Sequence, residues 1–377
     1  MGRVIKTALL PGLLLGLFGS ESPAQDRPTS EVDLVNLQLV LQRAVDRVAP
    51  SVVTIQTFGG TRKTEGQNPP DTREDRKPPP KTPLGMTGFL QGRGGTTGLV
   101  LSADGWILVS KFALEMDPST IMVNLSDGRS FTAVRKGEDI SRQIALVKIE
   151  AEGLPVPEIL DPVDVEVGQW AFVLGRTFGA RQPSVHEGVV SATKRVFGRA
   201  IQVDASTSPI NYGGAVIDIE GRVMGIAVPM DASGRKANVG LYDSGIGFAS
   251  TIADIDGLLE RMKKGEVLHR GCLGVAVNPA HLGPGAELNS VAEKSAGHEA
   301  GLREKSTILQ VDGVDVKHGF HFQMLIGSKM AGDEVRLKFR NEGAKPQDVS
   351  LRLTAVPKAD MTAKEEDKGN TPMENDQ

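Results

Sequence analysis

Between residues 32 and 48 the apolar positions Leu34, Leu37, Leu39, Val40, Ala44, Val45 and Val48 recur at helical spacing, and Pro50 ends the run. The pattern then changes period. "SVVTIQT" (51–57) reads as a strand, and from Gly94 onward short apolar runs alternate with turn residues: "TGLVLS", "WILVS", "IMVNL", "FTAV", "IALVKI", "WAFVLG", "SVHEGVVSATKR", "AIQVD", "AVIDI", "RVMGIAV" and "GIGFAS". Runs of that length at regular turn spacing predict an all-β barrel or sandwich. A helix over 252–263 closes this unit, with Ile255, Leu258, Leu259 and Met262 on one face. A second unit begins near Gly271, with strands at "CLGVAV", "AELNSV", "TILQVDG", "EVRLKFR" and "DVSLRL" and a helix over 320–329.

Two segments break the pattern. Residues 61–85 are dense in proline and charge, and the tail 357–377 is polar, with six acidic and three basic residues. Neither can bury a core, so both are expected to be disordered.

Composition narrows the function. With 39% hydrophobic and 24% charged residues and a net charge of −4, the chain fits a soluble globular class and lacks the basic balance of a nucleic-acid binder. Its 44 glycines against 4% aromatics agree with many tight turns. Cys272 is the single cysteine, which excludes an intramolecular disulfide. At the start, Arg3 and Lys6 precede the short apolar run "TALLPGLLLGLFG", and Ser22 and Ala24 stand at −3 and −1 of a cleavage point. Residues 1–24 therefore read as an export signal, with an uncleaved membrane anchor as the other reading.

The most informative stretch is "SPINYGGAV" (208–216). With "VAPSVVTI", "GGTTGLVLSADGWIL", "RQIALVKI", the longer "DASTSPINYGGAVIDIEGRVMGI" and "GIGFAS", it resembles, in the same order, the HtrA/DegP-type secreted serine proteases. The resemblance covers about residues 34–356. It implies a mostly β fold, with a trypsin-like double β-barrel over 34–263 followed by a PDZ domain over 271–356. The family's nucleophile loop reads N-P-G-N-S-G-G-P. Laid on Ser208 to Ala215, it puts Tyr212 at the serine and Ile210 at the glycine that shapes the oxyanion hole. By the same resemblance Phe112 stands at the histidine and Gln143 at the aspartate.

The chemistry of those replacements is restrictive. A serine hydroxyl needs an imidazole to take its proton and a carboxylate to orient that imidazole. Phe112 accepts no proton, Gln143 carries no charge, and the Tyr212 oxygen lies a full ring away from where a serine oxygen would be. Ile210, being β-branched, resists the unusual dihedrals the hole requires. No histidine precedes His186, so no shifted alignment restores the order of the triad. The reading is a pseudoprotease with no catalytic residues and no cofactor. The alternative is an active serine-type endopeptidase using a displaced site, for which Ser206, Ser208 and His186 are the available groups. Ser206 and Ser208 also suit plain turn roles, and His186 a packed or surface strand position.

In the second unit, "GCLGV" resembles the carboxylate-binding loop of PDZ domains. That resemblance implies peptide binding by strand addition at Leu273, Gly274, Val275, Ala276 and Val277, with a helical wall at Phe322, Leu325 and Ile326, Gln323 lying among them. Lys305-Ser306 depart from the family's glycine-aspartate turn. The implied partners are protein carboxy-termini, and the implied assembly a homo-trimer or a mixed oligomer with an active relative. No metal site is expected, since His281, His298, His318 and His321 have no compact ligand spacing.

Overall fold

The computed structural model describes residues 31–59, 95–177, 182–231, 234, 244–253 and 255–355. The expected export signal, the proline-rich loop and the acidic tail lie outside the described residues. The first helix, α1, spans Glu31–Val48. Its residues Ala44 and Val48 are buried where the periodicity put an apolar stripe.

Six strands follow: β1 (Val52–Phe58), β2 (Thr96–Val100), β3 (Trp106–Ser110), β4 (Thr120–Asn124), β5 (Ser130–Asp139) and β6 (Ile144–Lys148). They run in the order β5-β4-β1-β2-β3-β6, and pairing of β5 with β6 closes the ring. A second closed barrel takes β7 (Trp170–Gly175), β8 (Ser184–Lys194), β9 (Ala200–Val203), β10 (Ala215–Ile217), β11 (Val223–Val228) and β12 (Gly247–Ser250). Closure leaves no open sheet edge, which is how short, apolar strands such as β10 and β11 stay buried on both faces. Val52, Leu99, Leu108, Ile144 and Leu146 from the first barrel share one apolar cluster with Phe172, Leu174, Ala215, Ile217 and Ile226 from the second.

The helix after the barrels, α3, spans Asp256–Lys263, four residues shorter at its start than the sequence suggests. Ile252 and Ile255 are buried, but as chain entering the helix. A short element β13 (Val267–Leu268) then adds in parallel to β5.

The remaining β unit contains β14 (Gly271–Cys272), β15 (Val275–Val277), β16 (Ala286–Val291), α4 (Ala296–Glu299), β17 (Thr307–Val311), β18 (Val314–Asp315), α5 (Gly319–Gly327), β19 (Glu334–Arg340), β20 (Gln347–Arg352) and β21 (Thr354–Ala355). Its main sheet runs β15-β16-β17-β19-β20, so β15 is an edge strand. This region is consistent with a PDZ domain. The expected single strand "CLGVAV" is split, because Gly274 turns with φ +71° and separates β14 from β15. The helix expected over 320–329 ends at Gly327, two residues early.

A short element, α2 (Arg195–Gly198), joins the second barrel to this unit. Lys194, Val196 and Phe197 all have left-handed φ, between 51° and 59°. The Phe197 ring lies against Gly327 of α5, and the Arg270 guanidinium sits 4.5 Å from the centre of that ring. Buried Arg199 donates to the Lys329 carbonyl at 2.9 Å.

Candidate functional site

Strand β3 ends at Ser110, whose side chain accepts the Phe112 N–H at 3.3 Å and caps a short 3-10 turn, Lys111–Leu114. The cap turns Phe112 inward. Although it comes from the first barrel, Phe112 joins the apolar cluster of the second, where it meets Tyr212. The two rings are 5% and 2% exposed. Their centroids lie 5.4 Å apart with planes inclined at 68°, the edge-to-face arrangement that aromatic quadrupoles favour.

Gln143 sits beside this pair through the backbone. Its carbonyl accepts the Lys111 N–H at 2.8 Å, its side-chain amide donates to the Ile140 carbonyl at 2.9 Å, and its φ is +56°. Its amide therefore serves the local turn. The neighbouring Asp139–Arg142 ion pair, at 3.2 Å, is buried on both sides.

The loop carrying Tyr212 is a closed turn. The Ser208 carbonyl accepts both the Asn211 N–H at 3.0 Å and the Tyr212 N–H at 3.2 Å. Asn211 pins the turn from inside, accepting the Ser208 N–H at 2.9 Å through its side-chain oxygen and donating its amide to the Ser206 carbonyl at 3.0 Å. From the first barrel, Thr97 donates its hydroxyl to the Ile210 carbonyl at 3.0 Å and its N–H to the Tyr212 carbonyl at 3.2 Å. Gly213 takes φ +86°, and a Cβ there would collide with the Thr97 carbonyl oxygen. Only glycine lets the two barrels approach at this point.

An oxyanion hole needs N–H groups aimed at open space. Here the Tyr212 N–H is used inside the turn, and the Gly213 and Gly214 N–H groups go to the Ala227 and Asn211 carbonyls. The structure thus brings Phe112, Gln143, Ile210 and Tyr212 into one locality. It does not bring in the other candidates as a catalytic set. His186 lies mid-strand in β8, opposite Val173, and Ser206 and Ser208 contribute their carbonyls to the Asn211 turn. Nothing in "GGTTGL" signals that the Thr97 hydroxyl will reach a loop more than a hundred residues away.

In the third β unit, Leu273, Phe322 and Ile326 are buried in the core, with Leu325 packed against it. Val275 and Val277 are half-buried and Ala276 is exposed. Gly274 donates its N–H to the Cys272 thiol at 3.2 Å. A cleft of about 330 Å³ opens between the end of β15 and the start of α5, lined by Val277, Pro279, His318, Gly319, Phe320 and Gln323 among others. Among the described residues, no group of three or more His, Cys, Asp or Glu side chains could hold a metal ion. No described helix is long and apolar enough to cross a membrane.

Two closed barrels with a buried loop between them define the class: a trypsin-like serine-protease fold. The family model for the trypsin-like peptidase domain matches residues 86–226. A probable periplasmic DegP-like serine endoprotease of Chlamydia trachomatis is 28% identical over 95% of this chain and 78% of its own length. Proteins of the same description from Chlamydia muridarum and Halomonas elongata are 30% and 28% identical, over 54% and 67% of their own lengths and 70% and 79% of this chain. Among solved structures, the HtrA-type protease AlgW with a decapeptide superposes with a TM-score of 0.62 at 23% identity, over 84% of this chain and 99% of that one. The serine endoprotease from Yersinia pestis gives 0.59 at 23% identity, over 84% and 98%. Within its class, then, the chain is similar to the HtrA/DegP-type periplasmic serine endoproteases.

Proposed function

We propose that this homologue is a pseudoprotease: an exported protein that binds protein ends through its PDZ unit and does not cleave them. One observation carries the reading. Where acyl transfer would need an imidazole against a serine hydroxyl, two buried aromatic rings meet edge to face at 5.4 Å. The ring pair occupies the seam between the barrels, and the adjacent backbone N–H of Tyr212 is already bonded within its own loop. Neither ring takes a proton from a serine hydroxyl as an imidazole would. Export follows from the sequence of residues 1–24 and agrees with the periplasmic naming of the relatives.

Binding of carboxy-termini is supported by the exposed edge of β15 beside the Leu273-Gly274 loop, and by the peptide that the structurally similar AlgW holds. A ligand strand pairs with Val275, Ala276 and Val277 while its carboxylate meets the loop N–H groups. The test uses the full mature chain with casein and with paired peptides that end either in a free carboxylate or in an amide. The expected result is no casein cleavage and weaker binding of the amide. Sustained cleavage abolished by a serine-directed covalent inhibitor would overturn the pseudoprotease reading, and equal binding of acid and amide the loop assignment.

A further inference from the structure

The main sheet of the PDZ-like unit has two edges. One is β15; the other is β20, and among the described residues no strand pairs with its far side. The ladder fixes which backbone groups face outward there. The Arg336 carbonyl accepts the Asp312 N–H at 2.7 Å, and the Arg336 N–H donates to the Asp312 side chain at 2.8 Å, so both turn away from β20. Ser350 stands opposite Arg336 and so belongs to a non-hydrogen-bonded pair, with its own N–H and C=O aimed outward. The register runs without a bulge, so Asp348 and Arg352 do the same. Leu353, one residue on, donates its N–H inward to the Asp333 carbonyl at 2.9 Å, as the alternation requires.

The side chains of Asp348, Ser350 and Arg352 are exposed, while Val349 and Leu351 between them pack toward the core. Charges on an open edge usually repel a further strand. Here the acid and the base lie symmetrically about Ser350. A second copy of the strand, related by a twofold axis beside Ser350, runs antiparallel. It sets Asp348 opposite Arg352 twice and Ser350 opposite itself. We infer that the β20 edge is a self-complementary interface, which joins two copies of this chain into one continuous sheet.

The charges behind the edge extend the match. On β19, Lys338 lies opposite Asp348 and Glu334 opposite Arg352. A row across the joined sheets then reads Lys338 and Asp348 of one copy, followed by Arg352 and Glu334 of the other. Signs alternate over four strands, the arrangement that cross-strand pairs favour. The same residues fix the register. Centring on Asp348 or on Arg352 sets a like charge against itself, and centring on Val349 or on Leu351 pairs neither charge with its opposite. Among the described residues no ion pair within the chain engages Asp348 or Arg352. One short strand pair covers far less than the roughly 1,200 Å² that stable complexes bury, so the contact is weak and depends on concentration.

The test uses the full mature chain carrying Cys272→Ser and Ser350→Cys. Facing residues of a hydrogen-bonded antiparallel pair lie about 5.5 Å apart at Cα, within disulfide reach. Mild oxidation is therefore expected to give a cross-linked dimer whose yield rises with protein concentration. Adding Asp348→Arg or Arg352→Asp makes both cross-strand pairs repulsive and should cut the yield about tenfold or more. Mixing the two reversed chains restores opposite charges at both pairs, and the dimer should return with one chain of each kind, resolved by mass. Sedimentation of the mature chain with its native cysteine and serine, with and without each reversal, should rank association in the same order, with folding checked by circular dichroism. Absence of the cross-link, a yield indifferent to either reversal, or a mixture no better than its components each overturn the interface. All three leave the peptide-binding reading standing, because β15 is the opposite edge of the sheet.

Discussion

Tyr212 is held from three directions: its N–H by the Ser208 carbonyl, its carbonyl by the Thr97 N–H, and its ring by Phe112. Losing either ring empties buried space. Phe112→Ala and Tyr212→Ala are each expected to destabilise by about 3–5 kcal/mol. In a double-mutant cycle by urea unfolding the two should couple by about 0.5–1.5 kcal/mol, the worth of an aromatic pair beyond its area. Additive losses would mean that the rings merely fill the same region. On the pseudoprotease reading proposed above, the same contacts bear on what side-chain replacement alone can achieve. Phe112→His, Gln143→Asp and Tyr212→Ser together are expected to give little casein cleavage, because the residue-212 N–H stays bonded to the Ser208 carbonyl inside the turn. Adding Ile210→Gly frees the turn to reshape and should raise cleavage by a further factor of about 10²–10³, the usual worth of one oxyanion donor. Robust activity in the triple variant alone would show that the loop opens without help from residue 210.

At the scale of elements, α2 is the joint between the second barrel and the PDZ-like unit. Left-handed φ at a non-glycine residue costs on the order of 1 kcal/mol or more, and three such residues in four persist only when their surroundings hold them. Here the holding contacts are Phe197 in the notch at Gly327, Arg270 over the Phe197 ring, and the Arg199 bonds to the start of the segment after α5. Burial pushes the Arg270 guanidinium below its usual value, opposed by Cys272, consistent with a cation held over a ring rather than in water. Phe197→Ala should therefore loosen the joint, and calorimetry should resolve a separate, earlier transition for the PDZ-like unit. A single unchanged transition would show that the other contacts suffice. Gly213→Ala acts where the second barrel meets the first. It forces a Cβ into the Thr97 carbonyl at positive φ and should cost at least about 1 kcal/mol of stability, measured by denaturant midpoint.

For the whole molecule, the chain is expected to be exported and trimmed so that the mature protein begins at Gln25. Amino-terminal sequencing of protein purified from the cell envelope checks this, and an intact Met1 on cytoplasmic protein would contradict it. The sequence by itself determined the β-rich class and the strands of the barrels, because barrel strands advertise themselves as short apolar runs between turn residues. It also determined the chemistry that Phe112, Gln143 and Tyr212 cannot perform, since side-chain identity limits proton transfer whatever the fold. Strand and helix ends were less legible: the break at Gly274 and the early stop of α5 depend on close approaches to neighbouring elements, which local pattern does not encode. Only the tertiary structure decided that the two rings meet edge to face, that the Thr97 hydroxyl reaches across to Ile210, and that Phe197 docks on a glycine of α5. Each of these joins residues far apart in the chain, and their distances are set by how closed barrels stack, not by any spacing along the sequence.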